Sequence, residues 1–522
     1  MEFVNTPFGW ETAEVEPAET MKGKRSFNPD RYDFLLALTA LALGYLFSRW
    51  VLFSWRGWGV AVFTTAYLLA VTAYMMKKRV FSGCSAAWFW MSATWLTGMS
   101  YALWQNAGFG MVRAVFLFCC AVYFVTMASG CTFLGKTSNY LPIDGLNTVI
   151  VIPFRNFLNQ YLSFAVYRKN GRGKGKCQSV IAGVAIALIL LAMLIPMLMR
   201  ADSGGFRMLL RFISRIFLNA GAWELILYGV IALPIAAYLH GLVSGAAHNR
   251  GTDAIKPEKA EKTVASMRVL QTATVFIVLG AVCGLYLLFI LSQIPYFFSA
   301  FSGSRPEDWL VYSDYARHGF FELCGIAAIN LSIITACNVF CKSKRIQSDL
   351  LRVFNCAIAV ITLVLIATAF SKMALYIGVY GLTMPRLLPC MFMIFLTIVF
   401  IALIALQKWD FSIVRLALAS GAIILCVLSL SNPNSLIVRY NTDRYLRGTL
   451  QDYDVEILRR AGSAGVLSAI EVYEQTMDER LKEEIVRYLL QERNALESMR
   501  THEQSFESHR ANERLYGFSH ED

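Results

Sequence analysis

Apolar runs of about twenty residues punctuate the chain at 33–53, 57–76, 86–104, 111–133, 178–199, 222–245, 267–292, 319–341, 349–370, 386–406 and 411–431. That is the helical length needed to cross roughly 30 Å of hydrocarbon. Inside a bilayer no water satisfies the backbone, so each run must close its own hydrogen bonds as a helix or join a closed barrel. Barrel strands would show as alternating ten-residue segments, which the sequence lacks. The pattern predicts an all-α polytopic integral membrane protein of about eleven spans. Composition agrees: 56% of the 522 residues are hydrophobic and 16% are charged, against about a quarter charged in soluble domains.

Charge sets the orientation. The formal net charge is +12, yet residues 432–522 carry about −5, which leaves about +17 for the rest. The basic residues gather in alternate connections. These hold Lys22, Lys24, Arg25 and Arg31, then Lys77, Lys78 and Arg79, then Arg168, Lys169, Arg172, Lys174 and Lys176. Later come Arg250, Lys256, Lys259 and Lys262, then Lys342, Lys344 and Arg345, and finally Lys408. Such loops face the cytoplasm and touch anionic lipid headgroups. That reading displaces nucleic-acid binding. The polar lead-in 1–32 is then cytoplasmic and, with an odd span count, the tail is extracytoplasmic. Met1–Arg25 has no apolar segment after it and does not read as a cleavable signal peptide. Arg200, Arg207, Arg211 and Arg215 break the alternation and suggest an amphipathic helix on the outer face. Residues 146–165, interrupted by Pro153 and Arg155, are expected to be interfacial or re-entrant. A full span there would flip everything downstream and violate the charge rule in four loops.

The tail reads as a separate unit over 432–500, with short amphipathic helices at Asp454–Ala461, Gly465–Gln475 and Asp478–Met499 capped by Asp454 and Asp478. Residues 501–522 read as disordered from their polarity. Such a tail suits packing on the membrane domain or binding a protein partner. The twelve cysteines fall between Cys84 and Cys426, with no Cys-x-x-Cys pair. They read as small apolar residues. No His-x-x-x-His or His-Glu-x-x-His occurs, and Gly171–Lys176 lacks the phosphate-loop spacing. No cofactor and no metal site is expected.

The chemistry concentrates at Tyr315-Ala316-Arg317-His318-Gly319-Phe320-Phe321-Glu322-Leu323, which brings Arg, His and Glu to the mouth of a span. An ionisable group inside a membrane must be paired or wet, so Glu322 marks a functional site by default. Asp314 and Arg317 can pair at i,i+3. Arg317 and Glu322 are five apart and meet obliquely, so Glu322 seeks a partner on another helix. Tyr376, Tyr380 and Arg386 lie in the outer connection between the ninth and tenth spans. Arg439 and Tyr440 follow the last span. Together with Arg317, His318 and Glu322 they form the candidate ligand site, because Arg forks suit carboxylate or phosphate. The competing account is an aromatic belt with snorkelling arginines and an ion pair that fixes helix position.

These stretches, with Leu375–Thr383 and Arg386, and Asn432-Pro433 with Ile437-Val438-Arg439-Tyr440-Asn441, resemble bacterial multipass membrane proteins catalogued as domain of unknown function 4173, related to 4153. The likeness runs from the first spans to about Leu467. Where such proteins often carry a second Arg in the first motif, this chain has His318, a titratable group near Glu322. The resemblance implies a bacterial inner-membrane protein and supplies no activity. From the residues, the first function expected is a transporter or permease-like protein for a small or lipid-like anionic substrate. Its supports are Glu322, the breaks at Pro153, Pro196, Pro234 and Pro295, and the polar Asn330 and Asn338. A membrane sensor or scaffold acting with an envelope partner is the alternative, and a membrane-embedded enzyme the third.

Overall fold

The computed structural model describes residues 27–105, 107–132, 140–168, 220–249, 266–301, 312–342, 349–450 and 452–518, with isolated positions between them. The lead-in 1–26, most of the 178–199 run and the arginines of 200–219 lie outside the described residues. Described elements are helical; among them extended backbone pairs at the isolated bridge of Leu270 with Cys341.

Helices α1 (Arg31–Trp50), α2 (Gly57–Lys77), α3 (Ser85–Leu103) and α4 (Gly110–Ala128) run up and down. The chain then breaks into α5 (Leu141–Leu146), a π turn (Asn147–Val151), α6 (Ile152–Arg155) and α7 (Asn159–Arg168). After it come α8 (Ala220–Ala247), α9 (Thr272–Phe301), α10 (Tyr312–Phe340), α11 (Asp349–Tyr380), α12 (Met384–Ala405) and α13 (Ile413–Leu430). Among the described residues eight helices are long and apolar enough to cross a membrane: α1, α2, α4, α8, α9, α11, α12 and α13. The more polar α3 and α10 reach membrane length as well, at 19 and 29 residues. The protein is an all-α polytopic membrane protein.

Two apolar cores form. One joins α1 to α4 with α8, around residues such as Leu43, Met75, Phe124 and Leu242. The other joins α9 to α12 around Leu279, Ile358, Met393 and Phe400. Helix α13 touches both, with Ala422 and Cys426 in the first core and Ile413 and Ala417 against the second. Cys120, Cys337, Cys390 and Cys426 pack in these cores as free thiols.

In lipid, helices associate through close packing and interhelical hydrogen bonds. Both devices are present. On α1, Gly44 packs against Ala232 and Ala236 of α8; a Cβ on Gly44 would stand 2.6 Å from the Ala232 carbonyl oxygen. In the second core, Tyr286 donates to Asn330 Oδ1 (2.5 Å) and Asn330 Nδ2 donates to Thr362 (2.8 Å), which ties α9, α10 and α11 together. Asn338, Asn355 and Gln407 link α10, α11 and α12 in the same way. Asn330 and Asn338 thus carry interhelical hydrogen bonds.

Irregular backbone at membrane depth needs protein around it. The 141–168 break meets that need with side chains. Asn156 Nδ2 donates to Ile152 O (2.8 Å), Gln160 donates to Ala37 O on α1 (3.3 Å), and Tyr238 of α8 donates to Val149 O (3.1 Å).

The tail comprises α14 (Pro433–Leu446), α15 (Val455–Ala461), α16 (Val466–Gln475), α17 (Glu479–Glu497) and α18 (Phe506–Gly517). Asp454 and Asp478 cap α15 and α17 through their side chains. The tail has its own core, around Leu458, Val466, Val472, Ile485 and Tyr488. The disorder expected for 501–522 is corrected over 501–518. Ser505 and Ser508 form a capping box, and Ala511 and Leu515, one turn apart, bury against the tail core. Polarity concealed a short amphipathic helix; residues 519–522 lie outside the described residues.

The tail sits on one end of the bundle. Trp58 N–H donates to Gln504 O (3.0 Å), Gln105 N–H to Glu507 Oε2 (3.0 Å), and Arg500 reaches Glu224 (3.9 Å). The basic connections at Lys77–Arg79, Lys342 and Lys408 lie at the opposite helix ends.

Candidate functional site

The second and third motifs meet at a corner between α11, α12 and α14. Arg386, in the first turn of α12, donates to Tyr380 O (2.7 Å) and Gly381 O of the preceding connection and to the Tyr376 hydroxyl (3.2 Å). Its guanidinium lies 4.2 Å from the Tyr376 ring centre and 5.9 Å from that of Tyr380, within cation–π range. Arg386 therefore closes the C-terminal carbonyls of α11, the usual need of a helix end. From α14, Asn441 holds the Leu382 peptide at both ends: Leu382 N–H donates to Oδ1 and Nδ2 donates to Leu382 O, each at 2.7 Å. Arg444 adds a bond to Ile377 O (3.3 Å). Arg439 and Tyr440 are exposed and take no part in these hydrogen bonds, although the Tyr440 ring lies 5.8 Å from the Arg444 guanidinium. The sequence reading singled out those two; the residue that does the joining is Asn441, on the inward face with Ile437 and Val438.

Glu322 on α10 is exposed, and its charge acts on Lys372 of α11. Arg317 and His318 lie in the helical stretch of α10, but their side chains fall outside the described residues.

Beside the corner lies a cavity of about 920 Å³ at the seam between membrane bundle and tail. Met373, Leu388 and Ile437 make its apolar wall, and Tyr376, Arg386 and Asn434 join from the motifs. The tail contributes Arg459 and Arg460, with Asp454 and Glu456, from α15. Glu456 pairs with Arg460 at 3.2 Å and more loosely with Arg459 at 3.9 Å. Three guanidiniums face two carboxylates, so the lining carries one net positive charge and an apolar side.

The rest of the seam is polar and buried. Arg113 on α4 is fully buried and donates to the carbonyls of Ser100, Trp104 and Gln105, which closes the end of α3. It stacks 3.7 Å over Tyr101. Glu507 accepts from Gln105 N–H and from Asn432 Nδ2 (2.5 Å). Ser463 donates to Gln105 and to Glu492 (3.1 and 3.0 Å). Burial pushes both carboxyls up, more than these hydrogen bonds and the nearby Arg113 and Arg56 charges pull them down. Docking thus favours the protonated form of each relative to the undocked tail. Docking is strongest below the ordinary carboxylate range and weakens as pH climbs through the raised values. The thermal midpoint of the tail is expected to rise as pH falls through the raised values of these two carboxyls. The paired substitutions E492Q and E507Q should flatten that slope.

At the other end of the bundle Asp33 is fully buried. It accepts from Tyr74 (2.6 Å), Lys78 (2.9 Å) and its own cap residue Asp30 (3.0 Å), and His248 reaches it at 3.2 Å. Burial would lower the Lys78 ammonium, but its bonds to Asp30 and Asp33 prevail and raise it. This cluster joins α1, α2 and α8. The sequence reading placed Lys78 in a basic loop and did not connect it with Asp33, 45 residues earlier.

Residues 91–472 match the family described as Domain of unknown function (DUF4153), a stretch from α3 to α16 that takes in the whole motif corner. No curated protein and no solved structure matches the chain. With some three quarters of its length inside that match, the chain is a polytopic membrane protein of the DUF4153 family.

Proposed function

We propose that the protein is permease-like and receives a small or lipid-like anionic substrate in the seam cavity. The observation that carries this reading is the lining itself, an apolar wall from α11, α12 and α14 beside the guanidiniums of Arg386, Arg459 and Arg460. A volume of about 920 Å³ lies within the range of small-molecule sites. Arg386 is engaged by the α11 carbonyls, whereas Arg459 and Arg460 share the single carboxylate of Glu456 and keep guanidinium donors for an incoming anion. The remaining candidates, Glu322 with Lys372 and the neighbouring Arg317 and His318, lie along α10 and α11, where a charged pair in a membrane marks a route or a latch. The positive-inside rule supports a cytoplasmic N-terminus and an extracytoplasmic tail. The motif likeness to domain of unknown function 4173 supports a bacterial plasma membrane.

The test is equilibrium binding to the full chain in nanodiscs. The probes are a short-chain phosphatidylglycerol and, as control, the matching phosphatidylcholine. The anionic probe should bind at least about tenfold more tightly, and R459A with R460A should remove about that factor. Equal affinity for both probes, or no effect of the double substitution, rejects the proposal. The sensor or scaffold reading is supported by a different observation, the tail docked through buried carboxylates. It requires the tail to alter a partner's state while the anionic probe stays unbound.

A further inference from the structure

A second cavity, of about 430 Å³, lies inside the first bundle between α1, α2, α4, α6 and α8. We propose that it holds one acyl chain of a bilayer phospholipid, entered sideways from the membrane. Its lining carries no charged residue. The three hydroxyls in the wall already have partners within the protein. Tyr67 donates to Ala121 O (3.1 Å), Tyr238 to Val149 O (3.1 Å), and Thr64 to Val60 O (2.8 Å). A polar ligand would lose its hydration and find nothing to bond, whereas hydrocarbon loses nothing.

Position identifies the source of the chain. Most of the wall belongs to α1, α2, α4 and α8, which are long and apolar enough to cross the bilayer. Phe118 and Phe154 border the space and are 40% and 61% exposed, so the mouth opens on the lipid-facing surface. The inner wall includes Val60 and Leu242, which are fully buried. The space therefore runs from the bilayer into the packed bundle. Part of the wall is the broken segment itself, where Phe154 and Phe157 stack at the end of α6 beside Tyr238. A bilayer supplies acyl chains at this surface without any other carrier.

The test uses the full chain in nanodiscs containing a phospholipid with a diazirine near the end of one acyl chain, followed by irradiation and mapping of the adducts. Adducts are expected on Val60 and Leu242, which lipid in contact with the outer surface alone does not reach. Ala121→Phe should lower these inward adducts by about tenfold, since overfilling a packed space costs about a decade of affinity or more. Adducts on the lipid-facing Leu285 and Leu288 of α9 should not change. Leu239→Trp, which fills the cavity from α8, gives the same reading if the first variant fails to fold. The proposal fails if inward adducts do not exceed background, or if they persist in a folded, cavity-filled variant. It also fails if a diazirine fatty acid labels the inner wall and the phospholipid does not.

Discussion

Asp33→Ala should destabilise the protein by about 3–5 kcal/mol, the loss expected when one partner of a buried ion pair is removed. The carboxylate is fully buried, and Tyr74 and Lys78 from the end of α2 and His248 from the end of α8 send side chains to it. Without it, Lys78 keeps only Asp30, whose side chain is 47% exposed, while Tyr74 and His248 lose their acceptor. The capping box that starts α1 loses its second half as well. Most of the loss comes from groups left unpaired, so the charge itself is separable from the shape. Asp33→Asn should keep the volume and part of the capping and cost less. Lys78→Met in the Asp33→Ala background should recover part of the loss by removing the stranded ammonium. Thermal midpoints in detergent, read by circular dichroism, give the comparison. A loss below about 1 kcal/mol would mean that water or lipid headgroups already stand in for these contacts.

The second large effect is expected at the motif corner. Gly381 has φ +77°, the left-handed region, and a Cβ there would fall inside the contact distance of Asn441 Oδ1. Gly381→Ala then combines backbone strain of about 1–2 kcal/mol with the loss of buried hydrogen bonds worth about 1–3 kcal/mol. The expected total is on the order of 3 kcal/mol. Asn441→Ala alone should cost only the hydrogen-bond share, because Leu382 loses its partner while Gly381 stays relaxed. The double variant should fall short of the sum of the two, since removing Asn441 also removes the clash. Full additivity in a double-mutant cycle would show that the two residues do not act on each other. Loosening this corner also frees Arg386 and Tyr376 beside the seam cavity, so Gly381→Ala should weaken the anionic probe as well.

What the sequence told depended on how local each signal was. The apolar runs stand on their own length, and the caps Asp454 and Asp478 act within a single turn. Both were readable residue by residue. Arg113 was not. Taken alone it is one charge at the start of a hydrophobic run, and its role appears only once the end of α3 lies against α4. Asp33 looked like an ordinary first-turn acid for the same reason, since His248 is 215 residues away. Lys372, on which the Glu322 charge acts, sits past the end of the run that defined its helix in the sequence. In the third motif the eye goes to Arg439 and Tyr440. The 3.6-residue period of α14 turns them outward and brings Asn441 in. The seam cavity was beyond reach of any single stretch, because α15 supplies one wall and α11, α12 and α14 the other.

The pairing of α1 with α8 also sets a timetable for biogenesis. Helix α1 enters the membrane with an acid in its opening turn and a glycine, Gly44, that packs against α8. At about 5–20 residues per second, His248 arrives roughly 10–40 s after Asp33. For that interval α1 rests in the membrane with Lys78 alone to neutralise its acid once α2 has entered. Helix α1 is thus exposed throughout that interval, and a protease or insertase that surveys half-built membrane proteins would meet it before the bundle has closed.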